Sequence, residues 1–302
     1  MSYHTATAVP RASGNAGSHT RRRTSSKRRA TATVVTYVFL GIWAIVCIAP
    51  LLWIVITSFT PQAQLYSYPP TFLPRPTVSN YSFLFQSMNY GQFLTNTVIM
   101  TVLVSLGEVV FGVIAAYAFA RMRFPGRDKF FLLILAGLMI PPIVTMLPLY
   151  IILQRVGWVN TLQGLVVPQI FSFGTSAQVI FFMRQYFRTL PRELEEAARV
   201  DGAGLLRTLW SVVFPNSYPA IATGAALSLV AAWNSLLWPL LITNTQSKYV
   251  MTVGLSSLIG QDRNANWGAI MGGTALLLLP LLILFLIGNK YFLGAATSSG
   301  LK

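Results

Sequence analysis

Six stretches of the chain are long and apolar enough to cross a membrane. A transmembrane helix needs about 20 mostly apolar residues, because each residue adds about 1.5 Å and the hydrocarbon core is roughly 30 Å thick. The composition agrees, with 54% hydrophobic and 10% charged residues among 302. We therefore predict an all-α polytopic membrane protein with six transmembrane helices near Val34–Ser58, Phe93–Ala120, Phe130–Leu153, Leu165–Tyr186, Tyr218–Thr243 and Trp267–Phe292.

Lysine and arginine are distributed unevenly among the segments that connect these spans. Eighteen of the 22 basic residues fall in the N-terminal tail, in segments 121–129 and 184–207, and after the last span, and four fall in the alternate loops. Cytoplasmic loops carry the excess of basic residues in membrane proteins. We therefore predict a multi-pass protein of the cell membrane with both termini in the cytoplasm, because an odd number of spans would remove this asymmetry.

The N-terminal tail carries seven of the basic residues among Ser, Thr, Gly and Ala. Such a composition cannot bury enough apolar surface to fold alone. We predict that residues 1–33 form a disordered, basic cytoplasmic tail and that residues 34–302 form the six-span domain. The net charge of +15 is concentrated on the predicted cytoplasmic side, which favours contact with anionic membrane lipid over binding of nucleic acid.

The side chains needed for metal binding or nucleophilic catalysis are almost absent. The single cysteine, Cys47, lies in the first apolar stretch, and the two histidines, His4 and His19, lie in the tail. The body of the chain therefore has no material for a disulfide framework, a zinc centre or a catalytic dyad. The sequence also has no GxxxxGK[ST] loop to hold ATP. We expect a protein that is not an enzyme and that binds neither a metal nor a cofactor.

The first predicted outer loop contains five prolines among aromatic residues. This composition excludes a regular helix and favours stiff, extended backbone. Two interpretations stay open, a spacer between spans and a docking surface for an external partner. The prolines are Pro61, Pro69, Pro70, Pro74 and Pro76.

A charged segment, residues 188–216, separates the fourth and fifth apolar stretches. It contains EEAARVDGAGLLRTLWSVVFP, with acids in the first helical turn, where the helix dipole favours them, and with Glu195 and Arg199 spaced for an ion pair on one helix face. Gly202 predicts the end of this helix, because glycine readily adopts the left-handed conformation. The pattern predicts a helix, a tight turn and a second helix ending at Pro215. A mere connection needs only a few residues, so this length indicates a further role.

Four ordered blocks carry a pattern more specific than hydropathy. They are AAYAFARMRFPGR (115–127), MIPPIVTMLPLY (139–150), EAARVDGAGLLRTLWSVVFP (196–215) and WNSLLWPLL (233–241). Together they resemble the permease subunits of binding-protein-dependent ABC importers, in the carbohydrate-uptake branch of the maltose-permease type. The third block is similar to that family's EAA signature, with Val212 and Phe214 in place of the usual Ile and Leu. The resemblance covers roughly residues 35–302.

The resemblance implies a fold and a set of partners. The fold is that of a type I ABC importer permease, also called MetI-like, with a cytoplasmic coupling helix between spans four and five. The partners are a second permease subunit in a heterodimer, two cytoplasmic ATPase subunits that hold ATP and magnesium, and an external solute-binding protein. The residues that the resemblance assigns to the ATPase contact are Glu195, Glu196, Ala197, Ala198, Asp201, Gly202, Ala203 and Pro215.

Five residues within the spans are candidates for the lining of a translocation pathway. Glu108 is an acid in mid-span, where an exposed charge costs about 3 kcal/mol, so it is expected to face protein or water. Asn234 and Ser235 interrupt the fifth stretch beside Trp233, and aromatic faces with amide donors suit sugar rings. Gln169 is one of the polar residues that dilute the fourth stretch. A structural hydrogen bond for Glu108 and helix packing for the others stay open as alternatives.

For the solute, the resemblance implies a sugar, either a mono-, di- or oligosaccharide. Import of glycerol-3-phosphate or a glycerophosphodiester by the same machinery is the alternative. An ion-coupled secondary carrier is disfavoured, since Glu108 is the one mid-span carboxylate and such carriers use several titratable groups. A membrane-embedded enzyme is disfavoured by the scarcity of Asp, Glu, His and Cys.

Overall fold

The computed structural model describes residues 21–68, 75–171, 174–260 and 265–298. Within these ranges the regular structure is helical, with no β-strand. Residues 1–20 of the predicted tail and Pro69, Pro70 and Pro74 of the first outer loop lie outside the described residues. The helices are α1 (Arg21–Ser58), α2 (Gln62–Leu65), α3 (Ser79–Ser87), α4 (Tyr90–Arg121), α5 (Arg127–Gly137), α6 (Pro142–Arg155), α7 (Leu162–Ile170), α8 (Thr175–Thr189), α9 (Glu193–Val200), α10 (Leu205–Thr208), a π-helical turn (Leu209–Val213), α11 (Phe214–Asn216), α12 (Tyr218–Trp233), α13 (Leu237–Ile242), a 3₁₀ turn (Gln246–Lys248), α14 (Met251–Gly260) and α15 (Trp267–Ser298).

The chain divides into two compact units, Met1–Trp53 and Ile54–Lys302. The first unit is described from Arg21 onward as one continuous helix, and its side chains from residue 32 to 53 are all exposed. This helix begins 13 residues before the predicted first span at Val34. Arginine, lysine and alanine are good helix formers, so the basic segment extends the span as helix. The second unit contains the end of α1 and all later helices.

Two of these later helices, α2 and α3, lie in the first predicted outer loop, so the expectation that its prolines exclude regular helix was wrong there. Helix α2 starts directly after Pro61 and α3 starts after Pro76, positions that leave both helices free of proline.

Among the described residues, four helical segments are long and apolar enough to cross a membrane, namely Ala32–Ser58, Tyr90–Arg121, Leu162–Thr189 and Trp267–Ile287. They correspond to the first, second, fourth and sixth predicted spans. An all-α, polytopic membrane fold is therefore confirmed. The third and fifth predicted spans are also helical, but neither is one continuous helix, and the fourth is described as two helices, α7 and α8.

The third predicted span consists of α5 and α6, which are bent by 98° relative to each other. The break falls before Pro141 and Pro142. Proline lacks the backbone N–H of a helical ladder and pushes the preceding residue out of the helical conformation, so two consecutive prolines end one helix and start another. The prediction of a single helix over 130–153 was wrong in this respect.

The fifth predicted span consists of the 16-residue α12 and the short α13, separated at residues 234–236. Proline 239 accounts for the break, because Pro239 has no N–H to donate to the carbonyl of Ser235, four residues earlier. The hydroxyl of Thr252 donates to that carbonyl instead, at 2.7 Å. Backbone polar groups freed inside a membrane must find partners in the protein or in a water-filled cavity, and here α14 supplies the partner.

Helix α4 contributes to each of three apolar clusters that form the core of the second unit. Phe93 packs in a cluster with residues of α3, α12, α14 and α15. Met100 and Val104 pack with residues of α6, α7, α12, α13 and α14. Near its end, Val113 and Ala116 pack with α8, α12 and the π-helical turn. The bundle is therefore organised around α4.

Two glycines allow α4, α8 and α12 to approach closely. A Cβ atom on Gly112 of α4 would lie 2.7 Å from Val179 Cγ1 on α8, and one on Gly224 of α12 would lie 2.8 Å from Met183 Cε. Small residues at such positions let membrane helices gain van der Waals contact along their backbones. The polar Ser228 and Glu108 lie within the same three-helix interface.

We expect Gly112→Leu to destabilise the bundle by about 1–3 kcal/mol, the usual cost of overpacking a core. Gly41→Leu is the matched control, because a Cβ on Gly41 of α1 meets nothing within 4 Å. The measurement is thermal unfolding of the purified protein in detergent. Equal melting temperatures for the two variants would contradict the close approach of α4 and α8.

Candidate functional site

The segment 190–216 forms a surface helix, a tight turn and a second helical stretch, as the sequence predicts. In the first turn of α9 lie Glu193, Glu195 and Glu196, where the helix dipole favours negative charge. The helix ends in a Schellman motif, since the N–H of Ala203 bonds to the carbonyl of Ala198 at 2.9 Å and that of Gly202 bonds to the carbonyl of Arg199 at 3.0 Å.

Gly202 has the left-handed conformation that this motif requires, with φ of 79°. Any other residue would be strained there, because its Cβ would approach the following carbonyl. Nothing lies within 4 Å of where a Cβ would sit on Gly202, so the requirement for glycine comes from the backbone alone. The predicted left-handed end of the helix is confirmed.

The stretch after the turn attaches this segment to the bundle. Here α10, the π-helical turn and α11 follow one another from Leu205 to Asn216. Leu209 and Val213 on the π-helical turn are each 1% exposed and pack with Val113, Ala116 and other residues of α4 and α8. A π-helical turn widens the helix locally, and such turns often occur at functional sites.

Most of the residues assigned to a partner contact are accessible on this surface. Exposed residues are Glu196, Ala197, Asp201, Gly202 and Pro215, while Ala198 and Ala203 are half-buried. The alanines leave the backbone of α9 approachable, because their side chains are small. These predicted site residues are therefore accessible on the surface of segment 190–216.

Glu195, unlike the accessible residues of this segment, is buried against the bundle, with 5% of its surface exposed. Its Oε1 lies 2.7 Å from Nε of Arg121, the last residue of α4, and Tyr117 donates its hydroxyl proton to Oε2 at 3.4 Å. Arg121 also donates from Nη2 to the carbonyl of Leu190 at 2.7 Å. The expected pairing of Glu195 with Arg199 was wrong, since a buried arginine on another helix takes the carboxylate.

This ion pair is costly to break. Both side chains are nearly inaccessible, with 6% of Arg121 and 7% of Glu195 exposed. Removing one partner of a buried pair leaves an uncompensated charge in a poorly solvated place, typically at a cost of about 3–5 kcal/mol. Tyr117 and Arg121 are the site residues that sequence reasoning missed. Their four-residue spacing at the end of a predicted span was the available signal, because it puts both on one helix face.

A positively charged cavity of about 500 Å³ lies between α9 and the end of α4. Five arginines and two glutamates are among its lining residues, so its walls carry excess positive charge. The lining consists of Ala120, Arg121, Met122, Arg123, Arg127, Arg192, Glu195, Glu196, Arg199 and Leu205. The cavity is open to water and separates the loop after α4 from the surface helix.

Two of the pathway candidates are buried within the bundle. Glu108 is 2% exposed, its Oε1 lies 3.2 Å from Ser176 Oγ of α8, and its other oxygen accepts the hydroxyl proton of Ser228 of α12. Trp233 is 5% exposed and donates its indole N–H to the carbonyl of Leu277 at 3.1 Å. Both side chains therefore tie helices together.

The other three candidates are more accessible. Asn234 is exposed, and its amide donates to the carbonyl of Val230, one turn earlier. Ser235 is half-buried at the break between α12 and α13, and Gln169 is half-buried on α7, where it donates to the carbonyl of Leu165. Among the described residues no hydrogen bond joins these three to Glu108 or Trp233.

The residues that could hold a metal ion are dispersed. In the described part of the chain, no three His, Cys, Asp or Glu side chains form a group suited to a metal.

Fold and site together define a class of protein. It is a multi-pass helical membrane protein that exposes the capped helix α9 at a polar end of the bundle.

Comparison with known proteins identifies the family. The model of the binding-protein-dependent transport system inner membrane component matches residues 108–293, and the chain belongs to this family. It is similar to the diacetylchitobiose uptake system permease protein NgcG of Streptomyces coelicolor, with 30% identity over 92% of this chain and 91% of that protein. It is also similar to the trehalose/maltose transport system permease protein MalG of Thermococcus litoralis, with 32% identity over 86% of this chain and 93% of the relative.

A solved structure shares the fold. The structure is that of a bacterial ABC transporter involved in the import of the acidic polysaccharide alginate, with a TM-score of 0.75 and 25% identity over 87% of this chain and 97% of the other. The type I importer permease fold is thereby confirmed. The chain is a permease subunit of an ABC importer in the inner membrane and is not an enzyme, since ATP hydrolysis resides in separate subunits.

We expect Gly202→Ala to lower solute uptake by the assembled importer while leaving the amount of protein in the membrane unchanged. The strain of about 1–2 kcal/mol at a left-handed position would shift or unwind the end of α9. Gly204→Ala is the matched control, because Gly204 also has open space around its Cβ position and has φ of −71°. Uptake and membrane abundance are measured together, and equal uptake by the two variants would contradict a role for the turn.

Proposed function

We propose that this chain forms, with a second permease subunit, the pathway by which an ABC importer brings a sugar into the cell. The substrate class is inferred from the relatives. Their names refer to uptake of diacetylchitobiose and of trehalose or maltose, and they match nearly the whole chain. The observation that supports an importer driven by ATPase subunits is the exposed helix α9, which is capped at Gly202. The opposite side of this helix is attached to the bundle through Glu195. The heterodimer, two ATPase subunits with ATP and magnesium, and an external solute-binding protein are part of this proposal.

The exposed face of α9 is the contact for the ATPase. Glu196 offers a carboxylate to a basic side chain of the partner, and the small Ala197 and Ala198 allow close packing. When the ATPase subunits close on nucleotide, α9 moves with them, and the bundle changes between inward-open and outward-open states. Such a two-state change requires contacts that differ between the states, which nucleotide binding supplies.

Orientation follows from the positions of the basic residues. The pair between Arg121 and Glu195 joins the end of α4 to α9, so two arginine-rich segments lie at one end of the bundle. This grouping supports a cytoplasmic position for both segments, since basic residues accumulate on that side. The basic residues of the N-terminal tail and of the C-terminal end favour the same side for both termini.

The break between α12 and α13 is the candidate lining of the pathway. Irregular backbone inside a membrane occurs where it is buried in protein or faces a water-filled cavity. Exposed Asn234 and half-buried Ser235 bring polar groups to this break, and Gln169 brings an amide on α7. For Glu108 and Trp233 the contacts support the alternative role of joining helices, because their polar atoms are engaged within the bundle.

Uptake of labelled solutes by a strain that lacks this chain tests the substrate class. The panel contains maltose, trehalose, diacetylchitobiose, glycerol-3-phosphate and a glycerophosphodiester. We expect uptake of one neutral sugar to be lost and to return with the gene. Loss of glycerol-3-phosphate or glycerophosphodiester uptake alone would overturn the assignment to sugars. Uptake that survives deletion of the ATPase genes would indicate an ion-coupled carrier.

Copurification tests the ATPase contact. We expect Glu196→Arg to release the ATPase subunits from the purified permease, because it places a positive charge where the partner is expected to carry one. Arg155→Glu is the control, since this exposed side chain at the end of α6 lies on the predicted outer side. Retention of the ATPase by the Glu196 variant, or its loss from the Arg155 variant, would contradict the proposed surface.

A further inference from the structure

We propose that Arg121 is a positioning residue, which converts movement of α9 into movement of α4 through its ion pair with Glu195. This inference rests on the proposed function, in which α9 is the ATPase contact. It concerns the inner side of that helix, whereas the partner contact concerns the outer side. A pair with this role must link α9 directly to a transmembrane helix, must be shielded from water and must end on a helix against which the rest of the bundle packs.

Glu195 carries the contact between α9 and α4. It is the one buried residue of α9, while Leu194 is 42% exposed and Val200 is 88% exposed. The helix also packs against the π-helical turn, whose apolar anchors, Leu209 and Val213, come after the turn at Gly202. The direct link from α9 to α4 is therefore a polar contact.

The contact has a defined geometry at both ends. Tyr117 and Arg121 lie one turn apart on α4. Tyr117 donates a hydrogen bond to Oε2 of Glu195, and Arg121 forms an ion pair with Oε1. Arg121 also donates a hydrogen bond from Nη2 to the carbonyl of Leu190, which lies just before α9. One guanidinium thus contacts both the carboxylate of α9 and the backbone that leads into this helix.

Water does not loosen the pair. Both side chains are more than nine-tenths inaccessible, and a desolvated ion pair resists separation far more than an exposed one. Other arginines, such as Arg123 and Arg199, line the neighbouring cavity. These arginines surround the Glu195 carboxylate with positive charge. Among the described residues, however, only Arg121 has a nitrogen within 4 Å of a carboxylate oxygen of Glu195.

Movement of Arg121 reaches the whole bundle because of its place on α4. This helix runs from Tyr90 to Arg121 without a break and packs in all three apolar clusters. The close contacts at Gly112 tie it to α8 in the half that ends at Arg121. A rigid helix pulled at its end carries the helices packed against it, whereas a flexible attachment would absorb the motion.

The test uses the importer purified with its ATPase subunits and reconstituted in vesicles, with the labelled solute that the uptake panel identifies. For Arg121→Gln and for Glu195→Gln we expect the ATPase subunits to copurify and to hydrolyse ATP. Solute transported per ATP hydrolysed is expected to fall about 5- to 150-fold, the usual range for coupling between linked sites. The ratio separates positioning from abundance, because a loss of folded protein lowers both rates together.

Further variants separate the ion pair from general damage. Exchange of the charges, Arg121→Glu with Glu195→Arg, should restore part of the ratio. Arg121→Lys should lie between wild type and Arg121→Gln, since lysine keeps the charge but lacks the second donor for Leu190. Arg127→Gln is the matched control, because Arg127 is half-buried in the adjoining segment and forms its ion pair with an exposed residue, Asp128, at 3.1 Å.

Three outcomes would overturn the inference. A normal ratio in both Gln variants would show that the pair does not transmit movement. An equal fall of the transport-to-hydrolysis ratio in Arg127→Gln would show that removal of any charge near the end of α4 lowers coupling. Loss of the ATPase subunits from the Gln variants would assign the pair to assembly. Failure of the proposed function is distinguishable from all three, because the wild-type permease would then not copurify with an ATPase.

Discussion

In a membrane the backbone has no water to bond with, so every N–H and carbonyl must find a partner within the protein. That constraint explains the helical fold and also the places where the helices break. At Pro239 the helical ladder fails, and the hydroxyl of Thr252 satisfies the carbonyl of Ser235 that the proline cannot reach. At Pro141 and Pro142 the chain turns by 98° between α5 and α6. A hydroxyl of another helix satisfies the first break, whereas at the second the N–H groups of Leu138, Met139 and Ile140 bond to carbonyls three residues earlier.

A second constraint is close packing around one helix. Helix α4 supplies residues to all three apolar clusters, and Gly112 lets it touch α8. Two of its polar residues also contact other elements, Glu108 through a hydrogen bond in mid-span and Arg121 through an ion pair at the end. Since lipid is as apolar as leucine, membrane helices associate through van der Waals contact and hydrogen bonds. Helix α4 uses both, which makes it the natural route for movement through the bundle.

The surface segment combines two kinds of attachment. The π-helical turn is fixed by buried Leu209 and Val213, whereas α9 is held through the carboxylate of Glu195. The outer face of α9 stays free, with Glu196 and Ala197 exposed. A helix held in this way can accept force from a partner on one side and deliver it to the membrane helices on the other. The family, an inner membrane component of binding-protein-dependent transport systems, agrees with that use.

The sequence by itself determined the membrane class, the position of the surface helix and its left-handed end at Gly202, because hydropathy, helix dipole and glycine conformation act over a few neighbouring residues. The first, second and sixth spans could be predicted as continuous helices for the same reason. Only the tertiary structure decided which carboxylates face inward. Glu195 bonds to Arg121 and Glu108 to Ser228, across 74 and 120 residues of chain, so their partners depend on helix packing that no local pattern records.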